Sequence, residues 1–169
     1  VRLVADPLWW SLALGACLVG DVMLMLPGLF LPGLTAFLIG YLAYLARWRH
    51  DAPWLASRPA LLGCASAGAL MLAVLWPHLD PVLRIAVPAY VGVIVLMAAQ
   101  ALGRATVLRT PAAWGVAAGS LCFMVSDSLL ALNRFVAPLP QATLWVLGSY
   151  YLAQWLLVRN SARAEAGAG

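Results

Sequence analysis

Lysine is absent from this 169-residue chain, and what charge it carries is sparse: ten arginines, six acidic residues, 9% charged side chains against 64% hydrophobic ones. An ordinary soluble domain is roughly 45–50% apolar and 25% charged, so a water-soluble fold is excluded at the outset. Histidine occurs only at His50 and His78, and cysteine only at Cys17, Cys64 and Cys122, with no C-x-x-C pair. Two loop histidines and scattered cysteines cannot supply a tetrahedral zinc set, so no metal is expected, and the three cysteines read as small buried residues inside apolar runs. There is no G-x-S-x-G elbow, Walker loop or dinucleotide fingerprint, which removes the usual hydrolase and nucleotide signatures and with them any expected cofactor. The arginines cluster between apolar runs instead of alternating with aromatics, so nucleic acid is not an expected partner, and no protein partner is indicated.

What the chain does have is long hydrophobic runs bounded by Pro, Gly and Arg, near 8–26, 29–47, 60–76, 82–102, 111–132 and 140–158. Each is close to the ~20 residues that cross a bilayer. The predicted fold class is therefore all-α, a polytopic transmembrane helix bundle of about six spans, with one domain over 1–160 and a disordered tail over 161–169. Pro27-Gly28 marks a tight turn between the first two spans, and Pro138 and Pro140 mark another between the last two. The segment 47–59, with Arg47, Arg49, His50, Asp51 and Arg58, reads as a solvated loop. Trp9, Trp10, Trp48, Trp54 and Trp76, near span ends, read as interfacial anchors.

If the spans alternate in direction, Arg2, Arg47, Arg49, Arg58, Arg104, Arg109, Arg159 and Arg163 fall on one side and only Arg84 and Arg134 on the other. The positive-inside rule then places both ends of the chain, the 47–59 loop and a 103–110 loop in the cytoplasm.

An ionised carboxylate at the centre of a membrane helix costs at least ~2.5–3.5 kcal/mol, which makes an intramembrane Asp a functional candidate. Asp21 and Asp127 are two such residues, in the first and fifth spans. Each precedes the outer end of its span by five residues, at Leu26 and Leu132, or roughly 8 Å at ~1.5 Å per residue. Two carboxyls at matching depth on parallel helices can share one cavity, with Tyr41, Tyr150 and Gln154 near it. Ser120, Asp127 and Arg134 recur at seven-residue spacing with Ser126 and Asn133 beside them, and Thr143, Tyr150 and Gln154 share a face of the sixth span. Tyr90 and Met97 on the fourth span can join this wall or simply pack. There is also an internal echo. Gly20-Asp21 is matched by Ser126-Asp127, and Gly40-Tyr41-Leu-Ala-Tyr44 by Gly148-Ser149-Tyr150-Tyr151-Leu-Ala-Gln154, as in a parallel duplication of a two-helix unit.

These stretches carry a resemblance. Gly20 to Leu26, Phe30 to Tyr44, Tyr90 to Met97, and above all Ser126-Asp127-Ser-Leu-Leu-Ala-Leu-Asn133-Arg134-Phe135 with Tyr150-Tyr151-Leu-Ala-Gln154, resemble the YhhN family of membrane proteins, which includes lysoplasmalogenases. The likeness covers nearly the whole chain. Members of that family have about eight spans, which implies two further helices N-terminal to those present here, and they usually carry histidine where this chain has Tyr41. The resemblance implies a multi-pass protein of the bacterial inner membrane that hydrolyses the alkenyl ether of a single-chain ether lipid among the membrane lipids. Asp21 and Asp127 would be catalytic, and Tyr41, Ser126, Asn133, Arg134, Tyr150, Tyr151 and Gln154 would line the substrate site. Alkenyl ether cleavage needs a proton donor and a negative group beside the resulting cation, which two carboxyls in one dry cavity can divide between them. The competing reading is a non-enzymatic transporter or scaffold in which the two aspartates bind a proton or cation.

The arginine distribution makes a direct prediction. Reporter fusions after Arg58 and after Arg109 should both score as cytoplasmic, and an external score at either site would reverse or break the orientation.

Overall fold

The structure, a computed structural model, describes residues 2–166, with side chains from Leu8 to Ser161. Six long helices follow one another: α1 (Arg2–Met25), α2 (Phe30–Trp48), α3 (Arg58–Leu75), α4 (Leu83–Leu108), α5 (Pro111–Ala131) and α6 (Ala142–Ala166). A 3₁₀ turn at Trp76–His78 ends α3, and a π-helical turn at Leu132–Val136 extends α5. Among the described residues, five segments are long and apolar enough to cross a membrane: Leu8–Met25, Phe30–Trp48, Arg58–His78, Leu83–Leu108 and Pro111–Val136. The sixth helix is as long but carries Ser149, Tyr150, Tyr151 and Gln154 in its middle, which lowers its hydropathy below the others. The expected tail, 161–169, falls on the last turn of α6 and on residues outside those described.

The helix starts follow local chemistry. Ser57 caps α3 by accepting the Ala60 N–H at 3.3 Å, and Thr110 caps α5 by accepting the Ala113 N–H at 3.1 Å, each with Pro in the first helical turn. Asp80 Oδ1 accepts the Val82 and Leu83 N–H groups at 3.0 and 2.9 Å, satisfying donors that α4 cannot. The α1–α2 turn is closed by Gly28 at φ +82°, the one point in that turn where a side chain would be strained.

Helices α1 and α2 pack as one hairpin and α5 and α6 as another; α4 lies between α2, α3 and α5. Hydrocarbon provides no hydrophobic drive for helices to associate, so close approach depends on small residues. A Cβ on Gly40 would sit 2.9 Å from Cys17 Sγ, and one on Gly119 would sit 3.1 Å from the Ala153 carbonyl. The centre of the bundle is aromatic: Tyr41, Tyr44, Trp48 and Phe123 are among its largest fully buried side chains, while leucines such as Leu62 and Leu70 face outward.

Two expectations are corrected here. Trp48 is no interfacial anchor: it is buried and stacks on Tyr44, with ring centroids 5.6 Å apart at 15°. The segments 47–59 and 103–110 are not two free loops either. Helix α4 runs on to Leu108, and its buried Gln100 and Arg104 clamp the first loop against it. Gln100 Oε1 accepts the Leu55 N–H at 2.7 Å, which holds Leu55 at φ 47°, and Gln100 Nε2 donates to the Pro53 carbonyl at 3.2 Å. Arg104 donates from Nε and Nη2 to the two oxygens of Asp51 at 2.7 and 2.6 Å, a bidentate pair. A single sequence hides this, because an arginine at the end of an apolar run looks the same whether it meets water or a carboxylate.

Burial alone would raise the Asp51 carboxyl, but the Arg104 fork and the nearby Arg47 guanidinium outweigh it and hold Asp51 below its usual 3.8. A depressed folded-state value means that this pair stabilises the fold above about pH 4 and loses its contribution as pH falls toward the folded-state value. Breaking a fully buried pair costs roughly 3–5 kcal/mol; Asp51 keeps 32% of its side chain exposed. Arg104→Met should therefore cost about 2 kcal/mol at pH 7 and progressively less as the pH is lowered below about 4, as read by denaturation in detergent across that range.

Candidate functional site

The two intramembrane aspartates anchor two hydrogen-bonded centres built across the hairpins. Asp127 on α5 receives the Tyr41 hydroxyl of α2 at 2.8 Å and the Tyr90 hydroxyl of α4 at 2.7 Å. Both bonds fall on Oδ2, and the two hydroxyl oxygens are 3.3 Å apart. Nothing among the described residues donates to Oδ1. Asp21 on α1 receives the Tyr150 hydroxyl of α6 at 2.8 Å, again on Oδ2. Because Tyr150 donates to Asp21, it accepts from Gln154 Nε2 at 3.2 Å, and Gln154 Oε1 in turn accepts the Tyr44 hydroxyl at 2.9 Å. The amide can point only one way, so Tyr44, Gln154, Tyr150 and Asp21 form a one-directional chain.

The internal echo in the sequence acquires a physical form here. The first hairpin's aspartate is bonded by the second hairpin's tyrosine, and the second hairpin's aspartate by the first hairpin's tyrosine, each at 2.8 Å. Between the two centres stands a closed circuit of four rings. Tyr41 contacts Phe37 and Phe123, and Tyr150 contacts the same two, at centroid separations of 5.4 to 6.3 Å.

The centres differ in what they face. A cleft between α2, α3, α4 and α5, in the half of the bundle nearest the α1–α2 turn, holds about 700 Å³ of atom-free space, the open mouth included. Its walls are apolar, from Phe30, Leu75, Val87 and Phe135 at the end nearest that turn to Gly68, Val95 and Met124 deeper in the bundle. Asp127, Tyr90 and Ser128 are its polar groups. Asp21, Tyr41, Tyr150 and Gln154 are not among the residues that line this cleft; the aromatic circuit joins the two centres, and each tyrosine satisfies a carboxyl that would otherwise need water.

The remaining candidates divide. Ser126 donates to the Val146 carbonyl at 2.9 Å and seals α5 to α6. Asn133 Oδ1 accepts the Leu139 N–H at 2.9 Å and pins the turn after α5. Arg134 lies over the Phe30 ring at 5.2 Å, beside the α1–α2 turn. Tyr151 is 60% exposed and touches the circuit only through the edge of Tyr150. Thr143 is exposed, and Ser120 bonds back to its own helix at Ala117. Tyr44 and the ring pair Phe37 and Phe123 were not singled out from sequence. Tyr44 follows Tyr41 by three residues and so shares its face, a spacing that could have found it.

A helical membrane bundle that carries paired carboxyls and tyrosines beside an apolar cleft is the class of protein defined by this geometry. Within that class, the chain belongs to the YhhN family, whose signature it matches over residues 2–161. It is 34% identical to human lysoplasmalogenase TMEM86B over 152 residues, 90% of this chain and 62% of that protein. It is 31% identical to a lysoplasmalogenase of Mycobacterium tuberculosis over 157 residues, 88% of this chain and 58% of that protein. Human lysoplasmalogenase TMEM86A is 29% identical over 152 residues, 87% of this chain and 62% of that protein. The chain thus spans about three-fifths of the length of the curated relatives it matches. No solved structure matches it.

Crossed pairs should be energetically separable. Hydrogen bonds within membrane bundles average about 0.6 kcal/mol and reach about 1.7, so a double-mutant cycle of Tyr41→Phe with Asp127→Leu should give a coupling of about 1 kcal/mol. Tyr41→Phe with Asp21→Leu should be additive to within about 0.5 kcal/mol. Detergent denaturation curves read both cycles, and equal couplings would refute the exchange.

Proposed function

We propose that this chain carries the reaction centre of a membrane hydrolase that cleaves the alkenyl ether bond of lysoplasmalogen-type lipids to a fatty aldehyde and a glycerophospho-alcohol. The observation that carries the reading is Asp127: one oxygen held by two tyrosine hydroxyls, the other without a donor, at the wall of a cleft shaped for an alkyl chain. The lysoplasmalogenase relatives support it.

In this reading the alkenyl group lies beside Asp127. The protonated carboxyl delivers its proton from Oδ1 to the β-carbon of the double bond, and the α-carbon becomes an oxocarbenium. Tyr41 and Tyr90, donating to Oδ2, stabilise the carboxylate that remains, and that charge sits next to the cation it has created. Water adds at the α-carbon and gives a proton back to Asp127, leaving a hemiacetal. Its carbon–oxygen bond to glycerol breaks, the hydroxyl proton passes to the leaving oxygen, and aldehyde and alcohol are released. Asp21 acts from behind the aromatic circuit, holding Tyr150 and through it the wall on which Tyr41 rests. The deeper end of the cleft, at Gly68, Val95 and Met124, offers no polar group to a proton or cation, which favours a hydrolase over a transport path.

The same proposal includes the setting. The protein lies in the bacterial inner membrane with both ends of this chain on the cytoplasmic side, supported by the eight arginines that gather at that end of the spans.

A general acid contributes typically ~10²–10⁴-fold, so Asp127→Asn should lower aldehyde release from a lysoplasmalogen by at least about 10²-fold while its detergent melting curve stays near that of the unaltered protein. Asp21→Asn should lose less, since it does not meet the cleft. Turnover by Asp127→Asn close to that of the unaltered protein would exclude this residue as the acid.

A further inference from the structure

The end of the cleft nearest the α1–α2 turn adjoins a second cavity of about 510 Å³, open mouth included, enclosed by that turn from Leu24 to Gly28, by Phe30 and by Arg134. Phe30 lines both spaces, and its ring packs edge-on against Phe135 at 5.6 Å. A single pair of rings therefore stands between the two spaces. The walls of the second cavity are apolar or backbone apart from Arg134. That side chain projects from the π-helical turn, whose exit is pinned by Asn133, and its guanidinium rests over Phe30. Among the described residues no carboxylate pairs with it. The other arginine at this end, Arg84, is stacked on Trp76 at 5.5 Å.

We propose, resting on the hydrolase reading above, that this cavity seats the phosphate of the ether lipid, that Arg134 is the residue that recognises it, and that its height above Asp127 selects the bond that is cut. A guanidinium beside an aromatic face presents several N–H donors in one plane, the geometry suited to phosphate oxygens. Arg134 follows Asp127 by seven residues, or about 10 Å along the helix. From phosphorus through glycerol to the β-carbon of an alkenyl ether there are seven bonds, about 8 Å when extended at roughly 1.2 Å of advance per bond. A phosphate at Arg134 therefore brings the alkenyl carbons to the level of Asp127 and sends the chain down the apolar cleft. The shared Phe30 wall assigns the seat to a phosphate carried by a lipid, since a free phosphate has no use for the adjoining apolar space.

The test uses the full chain in detergent with two substrates, an alkenyl glycerophospholipid and the corresponding alkenyl glycerol without phosphate. Unaltered protein should prefer the phosphate-bearing lipid by at least about tenfold in kcat/KM, through its KM. Arg134→Gln should reduce that ratio to near one, and Arg134→Lys should recover part of it, because a point charge still attracts phosphate without the fork. A preference that survives Arg134→Gln overturns the proposal. A separate arm measures binding of a non-hydrolysable alkyl-ether lysophospholipid by intrinsic tryptophan fluorescence. If no aldehyde forms from either substrate, the hydrolase reading fails, and this arm still decides the seat: affinity at least about tenfold weaker in Arg134→Gln upholds it, equal affinity overturns it. Inorganic phosphate that competes as effectively as the lysophospholipid would assign the seat to the free ion and overturn the lipid proposal.

Discussion

A carboxyl carried into hydrocarbon must find a donor inside the protein, because there is no water to take its place. This chain meets that demand twice, and both times the donor is a tyrosine from the opposite hairpin. The exchange ties α1 to α6 and α2 to α5, so neither hairpin satisfies its own acid. The aromatic circuit of Phe37, Tyr41, Phe123 and Tyr150 follows from it: with the two hydroxyls aimed at carboxyls, their rings lie buried in the middle of the bundle, and Phe37 and Phe123 pack against both, mostly edge to face.

The near symmetry of the two centres makes their differences informative. Asp127 gains a second donor from α4, Tyr90, and through α4 it meets the cleft; Asp21 has no counterpart to that helix and leads instead into the Tyr44–Gln154 chain. Helices α3 and α4 lie in sequence between the two hairpins, and Asp127 is the one of the two acids that lines the apolar cleft they help to form. Which of the two acids lines the apolar cleft is thus a property of connectivity, not of the aspartates themselves.

At the opposite end of the helices the same economy of charge recurs in water-facing form. Arg104 and Gln100, at the C-terminal end of α4, clamp the α2–α3 connection, and Gly103 allows its backbone to approach, where a Cβ would lie 3.2 Å from the Ala56 nitrogen. The helix that supplies Tyr90 to the site is therefore fastened at its far end, which fixes its rotation and so the direction of the Tyr90 hydroxyl.

Composition and run length by themselves determined the membrane bundle, the helix pairs and the placing of the two aspartates inside the first and fifth helices, because the hydrophobic span and the ~1.5 Å rise are set locally along the chain. The candidate residues Asp21, Asp127, Tyr41, Tyr150 and Gln154 were legible for a related reason: polar groups are rare enough in such helices that each one stands out. Which tyrosine meets which aspartate was not legible, nor that Tyr90 joins Asp127, that Asp127 and not Asp21 lines the cleft, that Trp48 is buried, or that Arg104 has a carboxylate partner. Those depend on how each helix is rotated about its axis and which helix lies beside it. In a chain apolar on nearly every face, periodicity says little about rotation; only the packed bundle, with its carboxyls paired and its small residues in contact, decides it.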